Sequence, residues 1–447
     1  MRPPDPTEPR HDDLFRSRLD QIINMRHELV KLARQIDWNF FEQRFSPLYT
    51  EKGRPGIKTR LMVGLHLLKH INGLSDEATC DRWVCDPYFQ YFCGETFFQH
   101  SLPIDRSSMT RWRQRIGADG MAALMQESLA TAHRTKAISA QDMAVVTVDT
   151  TVQPKAISHP TDAKLISKAR EKLVALAEKY GVALRQSFKR VGKIALIRYG
   201  RYAHAKQFKR AAGQLRRLKS QLNRTMNDIC RKIANDQNLK DIFRRMLSAG
   251  QRVMTQKRRD DKPKIYSLHA PEVECIGKGK AHKPYEFGCK VTATTCNARA
   301  AGGQFVLHID ALHGNPYDGH TLKAAVETTE KWTGIPIKRV HVDKGYRGHG
   351  LDRFKVYRSG SKAPTEAIRR EIKRRAAIEP TFGHMKSDGL LGRNFLKGIQ
   401  GDRINAILCG AGYNFRLLLK WLRLFCAFFS LLMELLDCNR MKKPLPA

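Results

Sequence analysis

The chain has 447 residues, enough for roughly three domains of about 150 residues and for a core that needs no disulfide scaffold. Lys and Arg number 80 against 43 Asp and Glu, and a net charge of +37 selects a polyanionic partner, either nucleic acid or an anionic membrane. An apolar content of 42% excludes a wholly disordered basic tail, and ten cysteines with no C-x-x-C spacing exclude a zinc ribbon and suit a reducing cytosol.

Residues 1–13, Pro-rich and charged, read as a mobile arm with no apolar run for a signal peptide. Over 14–45, Leu14, Leu19, Ile22, Ile23, Leu29, Leu32 and Ile36 keep helical spacing. After a break at Glu51-Lys-Gly-Arg-Pro-Gly56, a dense apolar helix runs from Leu61 to Ile71 and stops at Asn72-Gly73. Ser75 caps the next helix, which runs towards Trp83. At 105–117, DRSSMTRWRQRIG, Asp105 or Ser107 can cap a helix with Trp112 and Ile116 inwards and Arg111, Arg113 and Arg115 on its surface. This is either a DNA-reading helix-turn-helix, with Arg111 and Arg113 as contacts, or a basic helix facing water.

Ala144 to Val152 is a β-branched run carrying Asp149, a buried strand with an acid at its end. Residues 161–260 hold 27 Lys and Arg against 7 Asp and Glu, with Leu215, Leu218, Leu222, Met226, Ile229 and Ile233 in helical steps. This is a DNA-tracking surface or a solvated helical hairpin. Strands follow at Tyr285–Thr295, Gln304–Asp310 and Ile337–Asp343, with a helix after His320. Lys344, Tyr346 and Arg347 follow Asp343 on a loop open to DNA contact, whereas His320, His341, His349 and Cys289 read as structural. A helical stretch from Thr365 to about Lys386 carries Glu379. The apolar stretch Phe415–Leu436 contains Lys420, Arg423 and Glu434, and its uncharged run is too short to span a bilayer; it is a core helix or a membrane-surface helix.

Two strand-end acids and a helical Glu can converge, and hard carboxylate oxygens suit Mg²⁺, with Mn²⁺ able to substitute. In such a basic chain the acids hold metal and the bases hold DNA. At about 100° per residue, Ile372, Arg375, Glu379 and Lys386 share a helix face, so Arg375 and Lys386 grip phosphates beside Glu379 or form a surface ion-pair ladder. Pro380 predicts a kink or break there.

The blocks VDTTVQPKAISHPTDAKL, GKAHKPYEFGCKV, HGNPYDGHTL, VDKGYRG, RRAAIEPTFGHMKSDGLLGRNFLKG and GDRINAILCGAGYNFRLLL carry a resemblance to DDE transposases of the insertion-sequence-five family, within the insertion-sequence-four superfamily. It spans about 55 to 435, and residues 56–117 resemble the helical N-terminal region of these enzymes. Arg375, Glu379 and Lys386 match the superfamily's Tyr, Arg, Glu, Lys pattern, while Ile372 stands at the Tyr position. The resemblance implies an α/β fold, with an RNase H-like mixed sheet, flanking helices, an inserted basic helical subdomain and an N-terminal all-helical domain. It implies Asp149, Asp343 and Glu379 as the DDE triad and Mg²⁺ ligands, with Mg²⁺-dependent cleavage at insertion-sequence ends and strand transfer of the 3′-hydroxyl. A hydrolysing nuclease and a non-catalytic DNA-binding descendant are the alternatives. The implied partners are terminal inverted repeats and target DNA, with a homodimer or higher oligomer on DNA, no membrane, and a cytoplasmic, nucleoid-associated location in a bacterium. The expected domains are 1–52 (arm and helix), 53–138 (helical, DNA-binding), 139–403 (catalytic, with the basic insertion at about 160–256) and 404–447 (C-terminal helix and tail). An insertion between the first two strands must fold by itself and return its ends close together.

Overall fold

The computed structural model describes residues 16–49, 56–257, 264–277, 284–351, 353 and 355–441, with side chains as far as residue 424. The expected arm at 1–13, most of the break at 51–56 and the start of the GKAHKPYEFGCKV block lie outside the described residues. The chain divides into two compact units, Met1–Pro154 with Lys290–Ala447, and Lys155–Cys289.

The first unit opens with helices. The apolar spacing over 14–45 is cut into Leu19–Ile22, Glu28–Gln35 and Trp38–Phe45. New starts are set by caps: the His27 ring accepts from Leu29 N–H, and the Asp37 carboxylate accepts from Phe40 N–H. Thr59–Asn72 ends where Gly73 takes the left-handed conformation (φ 64°), which a side chain disfavours. Ser75 caps Asp76–Cys85 as expected. Ser107–Arg134 runs through Gly117, whose φ of 68° kinks it.

Six strands occur among the described residues: β1 Val145–Pro154, β2 Glu274–Gly277, β3 Tyr285–Cys296, β4 Val306–Leu312, β5 Arg339–Val342 and β6 Lys355–Arg358. In the first unit the order is β4-β3-β1-β5-β6, with β4 antiparallel to β3 and β5 parallel to both β1 and β6. The fold is therefore a mixed α/β sheet with flanking helices. Its inner positions, Val146, Val148, Val291, Leu307, Ile309, Val340 and Val342, are fully buried. Each such side chain contributes about 1.5–3 kcal/mol.

Register then decides where acids meet. Val145, Val146 and Thr147 of β1 lie opposite Arg339, Val340 and His341 of β5. Two residues further on, at the same parity, Asp149 comes level with Asp343 on the neighbouring strand.

The helix Gly398–Met441 runs through residue 404, where a boundary was expected. It needs small residues to fit. A Cβ on Gly410 would sit 2.7 Å from Ile309 Cγ2 of β4, and one on Gly412 would sit 2.6 Å from the His70 carbonyl. Further along, Asn414 accepts from Val306 N–H (2.9 Å) and donates to the Val306 carbonyl (2.8 Å) and Ser128 Oγ (3.0 Å). Phe415 and Leu418 are buried, so the described start of the apolar stretch is core. No helix among the described residues is long and apolar enough to cross a membrane.

The second unit is more than a hairpin. Its helices Asp162–Lys179, Lys189–His204, Phe208–Lys232 and Gln237–Thr255 enclose a core of their own. Leu218, Leu222, Met226, Ile229 and Ile233, the residues whose spacing marked the helix, are buried in it with Leu173 and Phe243. The ends of the insertion meet: Lys155 N–H donates to the Phe287 carbonyl at 2.9 Å, and its ammonium pairs with Glu272 at 2.7 Å in a buried position. The short β2 pairs antiparallel with the first residues of β3, Glu274 opposite Gly288.

Candidate functional site

Asp149 on β1, Asp343 just past β5 and Glu379 on the helix Ile378–Ser387 come together around one guanidinium. Arg375 Nη1 lies 3.2 Å from Asp149 Oδ2, and its Nη2 lies 3.7 Å from both Asp343 Oδ1 and Glu379 Oε1. The local backbone explains the aim. The helix expected from Thr365 to Lys386 is interrupted: Glu366–Arg374 ends, Arg375–Ala377 forms a tight 3₁₀ turn, and a new helix starts at Ile378. Pro380 thus falls in a first turn, where its missing N–H costs nothing. Arg375, expected to grip phosphate beside Glu379, faces the carboxylates instead and is 14% exposed. Lys386 lies half-buried near the end of the second helix.

The site's electrostatics are unbalanced. Three carboxylates against one guanidinium leave a formal −2. Asp149 is pushed up to about 6, first by burial and then by Asp343 and Asp318, against the Thr150 N–H and Arg375, which favour the charged form. That N–H reaches Asp149 Oδ1 at 2.7 Å. Asp343 and Glu379 are far more open, 50% and 67% exposed.

Asp318 was not singled out from the sequence. It begins the helix Asp318–Thr333, and its Oδ1 accepts from Thr150 Oγ1 and Lys290 Nζ, both at 3.0 Å. Lys290 also donates to the Pro316 carbonyl (2.7 Å), and the Tyr317 hydroxyl donates to the Gly345 carbonyl. The Asn-Pro-Tyr-Asp stretch thus braces both Thr150, next to Asp149, and the loop after Asp343. An Asp after a Pro turn, opening a helix within the HGNPYDGHTL block, was the available signal. In that loop Lys344 and Arg347 are exposed, but Tyr346 is 1% exposed, so it cannot serve as a DNA contact. Burial and the nearby carboxylates raise its phenol well above its ordinary value. His341 is structural as expected: its Nε2 lies 3.1 Å from Glu371, which also takes Arg339 at 2.6 Å and ties the helix Glu366–Arg374 to β5.

The N-terminal basic helix divides. Trp112 and Ile116 face inwards, and Arg111 and Arg115 are exposed on the wall of a cavity of about 810 Å³ shared with Lys58. Arg113, expected to contact DNA, is 4% exposed. Its Nη1 donates to Asp76 Oδ1 at 2.9 Å, its Nη2 bonds Asp76 Oδ2, and Lys69 closes on the same carboxylate at 2.6 Å. A guanidinium so enclosed cannot reach a phosphate.

A family model described as a transposase domain, DUF772, matches residues 17–115. The chain is 52% identical over 208 residues to a Rhizobium meliloti protein described as uncharacterized protein ORF8 in the nfe locus; the match spans all of that protein and 46% of this chain. No solved structure matches. With that transposase domain at its N-terminal helices and a relative matched over its whole length, the chain belongs to a transposase family.

Proposed function

We propose that the protein is a DDE transposase that cuts DNA at the ends of an insertion sequence and joins the freed 3′-hydroxyl to target DNA. The observation that carries this reading is the convergence of Asp149, Asp343 and Glu379, from two adjacent parallel strands and a helix, on one cation. The mixed sheet, with β1, β5 and β6 parallel and β3 antiparallel to β4, supports an RNase H-like catalytic domain.

The donor set fits Mg²⁺ or Mn²⁺: three hard oxygens that already lie within 3.7 Å of one positive group. Asp149, Asp343 and Glu379 would hold it. Bound there, the ion supplies charge to the phosphoryl oxygens and acidity to water. Asp149 sheds its proton above about pH 6 and becomes available as a ligand. Arg375, released from the carboxylates, turns its guanidinium to the phosphate of the scissile strand. Water attacks the phosphodiester at the element end, the phosphate stays on the 5′ side and the 3′-oxygen leaves and takes a proton. That 3′-hydroxyl then gives up its proton and attacks a phosphodiester of target DNA, whose own 3′-oxygen leaves as a hydroxyl. Exposed Lys344, Arg347 and Arg111 and the basic second unit supply phosphate contacts. A homodimer or higher oligomer on DNA belongs to the same proposal and is checked by solution mass.

Incubation with a labelled element end and a target plasmid, with and without Mg²⁺, tests the reading. Cleaved and joined strands are expected only with the ion. Cleavage without joining would make the protein a nuclease, and neither product would leave a DNA-binding protein alone.

A further inference from the structure

The second unit carries a surface that the carboxylate chemistry does not use. The helices Lys189–His204 and Phe208–Lys232 pack against each other across the short turn 205–207, in which Lys206 takes a left-handed conformation (φ 56°). Phe208 follows at once and is 68% exposed, although it opens a helix whose other large apolar residues line a core. Around it Arg201, Lys206, Lys209 and Arg210 are all exposed. The Arg210 guanidinium bonds Gln207 at 3.1 Å and leans over the Tyr202 ring at 6.0 Å. On the first of the two helices, Gly192 and Ala195 face the core, while Val191, Ile194 and Ile197 stand exposed beside Arg198 and Arg201.

A single exposed Phe means little. Here the apolar groups stand in a field of one sign, since no Asp or Glu occurs between Glu178 and Asp228. A second copy of the chain would bring two such fields together, which opposes docking through this face. The partner that fits offers negative charge outside and flat apolar rings inside. We propose that this turn is a nucleic-acid-binding tip, where Phe208 stacks on an unpaired base and Arg201, Lys206, Lys209 and Arg210 hold the flanking phosphates. The inference rests on DNA being the partner, but not on the metal site. A chain made cleavage-dead by Asp149→Ala is therefore an equally good host for the test.

The full-length protein is titrated with a labelled single strand, a duplex containing a short bubble with 2-aminopurine, and a fully paired duplex, at several salt concentrations. Phe208→Ala should weaken single-strand and bubble binding about tenfold and abolish the 2-aminopurine quenching, with the salt slope unchanged. Phe208→Trp should restore both. Reversing Lys206, Lys209 and Arg210 to Glu should flatten log K against log salt by about 2–3 and weaken every DNA. Unchanged affinity and quenching in Phe208→Ala overturns the proposal. So does a fall in solution mass with DNA binding intact, because the face would then join copies of the chain.

Discussion

Arg113 and Arg375 both reach carboxylates in the first unit, but the charge around them is opposite. At Arg113 a single acid, Asp76, meets two cations, Arg113 and Lys69. Burial alone would raise Asp76, yet the two cations hold it below the ordinary carboxylate range. Next to them His66 is pushed down to about 3 by burial and by Arg113, so it stays neutral. At Arg375 three acids meet one cation, and Asp149 goes up to about 6. The first cluster is closed and nearly dry, whereas the second lacks positive charge and opens to solvent at Asp343 and Glu379. One is a buried ion pair with its charge neutralised, the other a half-open cluster with a surplus of negative charge. The distinction lies in the balance of charge, because both arginines sit in basic, helical, DNA-suggestive sequence.

The sharpest way to break this contrast is to neutralise each cluster. Asp149→Asn, Asp343→Asn and Glu379→Gln should each lower cleavage roughly 10³-fold, the several kcal/mol expected for a lost ligand. Thermal stability should hold or rise, since each change relieves a surplus of negative charge. Strand-cleavage gels beside calorimetry check this, and near-normal cleavage in any variant removes that residue from the site. Arg113→Ala should do the reverse. It leaves Asp76 buried with Lys69 alone and should destabilise the fold by about 3–5 kcal/mol, read from denaturant unfolding. DNA affinity per folded molecule should stay constant. A stable Arg113→Ala protein with weakened DNA binding would reverse the assignment.

Titration sharpens the comparison further. Asp149 has its folded value raised from 3.8 to about 6, so it favours the protonated form. The stability it lends is complete below 3.8 and disappears as pH rises through about 6. The same proton competes with a cation. Affinity for Mn²⁺ should therefore fall about tenfold per pH unit below 6 and level off above 7, with proton release visible by calorimetry in two buffers. A flat profile from pH 5 to 7 would mean that Asp149 is not a ligand. The smallest effect is expected from Asp318→Asn. Removing a charge that raises Asp149 should shift the midpoint of that profile to lower pH by less than about one unit. An unmoved midpoint would reduce Asp318 to a brace for Thr150.

The elements set by local pattern were legible in the sequence. β1, β3, β4 and β5, the stop at Gly73 and the cap at Ser75 follow from alternation and turn chemistry. The acids on β1 and just past β5 were legible for the same reason, although β1 runs on to Pro154 and leaves Asp149 in mid-strand, not at the expected end; their shared level follows from a parallel register. What was not legible depends on distant partners. Arg111, Arg113 and Arg115 look alike along the chain, and only the packing of Asp76 selects Arg113 for burial. Pro380 signalled a break in its helix, but the break falls at Arg375–Ala377, ahead of the proline, in the turn that aims Arg375 at the acids. Asp318 acquires its place through Thr150, 168 residues earlier in the chain, and through Lys290, 28 residues earlier.

The insertion after β1 also sets the order of events on the ribosome. Val145 must pair with Arg339, roughly 190 residues later, and the whole second unit is made in between. At about 5–20 residues per second, β1 waits roughly 10–40 s for its parallel neighbour. Until its other neighbour, β3, emerges at Tyr285–Cys296, VVTVDTTV is an unpaired β-branched segment of the kind that aggregates. The charge of Asp149 interrupts it in the middle, as a gatekeeper residue would. One carboxylate would thus guard the nascent chain as well as belong to the proposed site, so neutralising it should lower soluble yield even where the folded protein holds or gains stability.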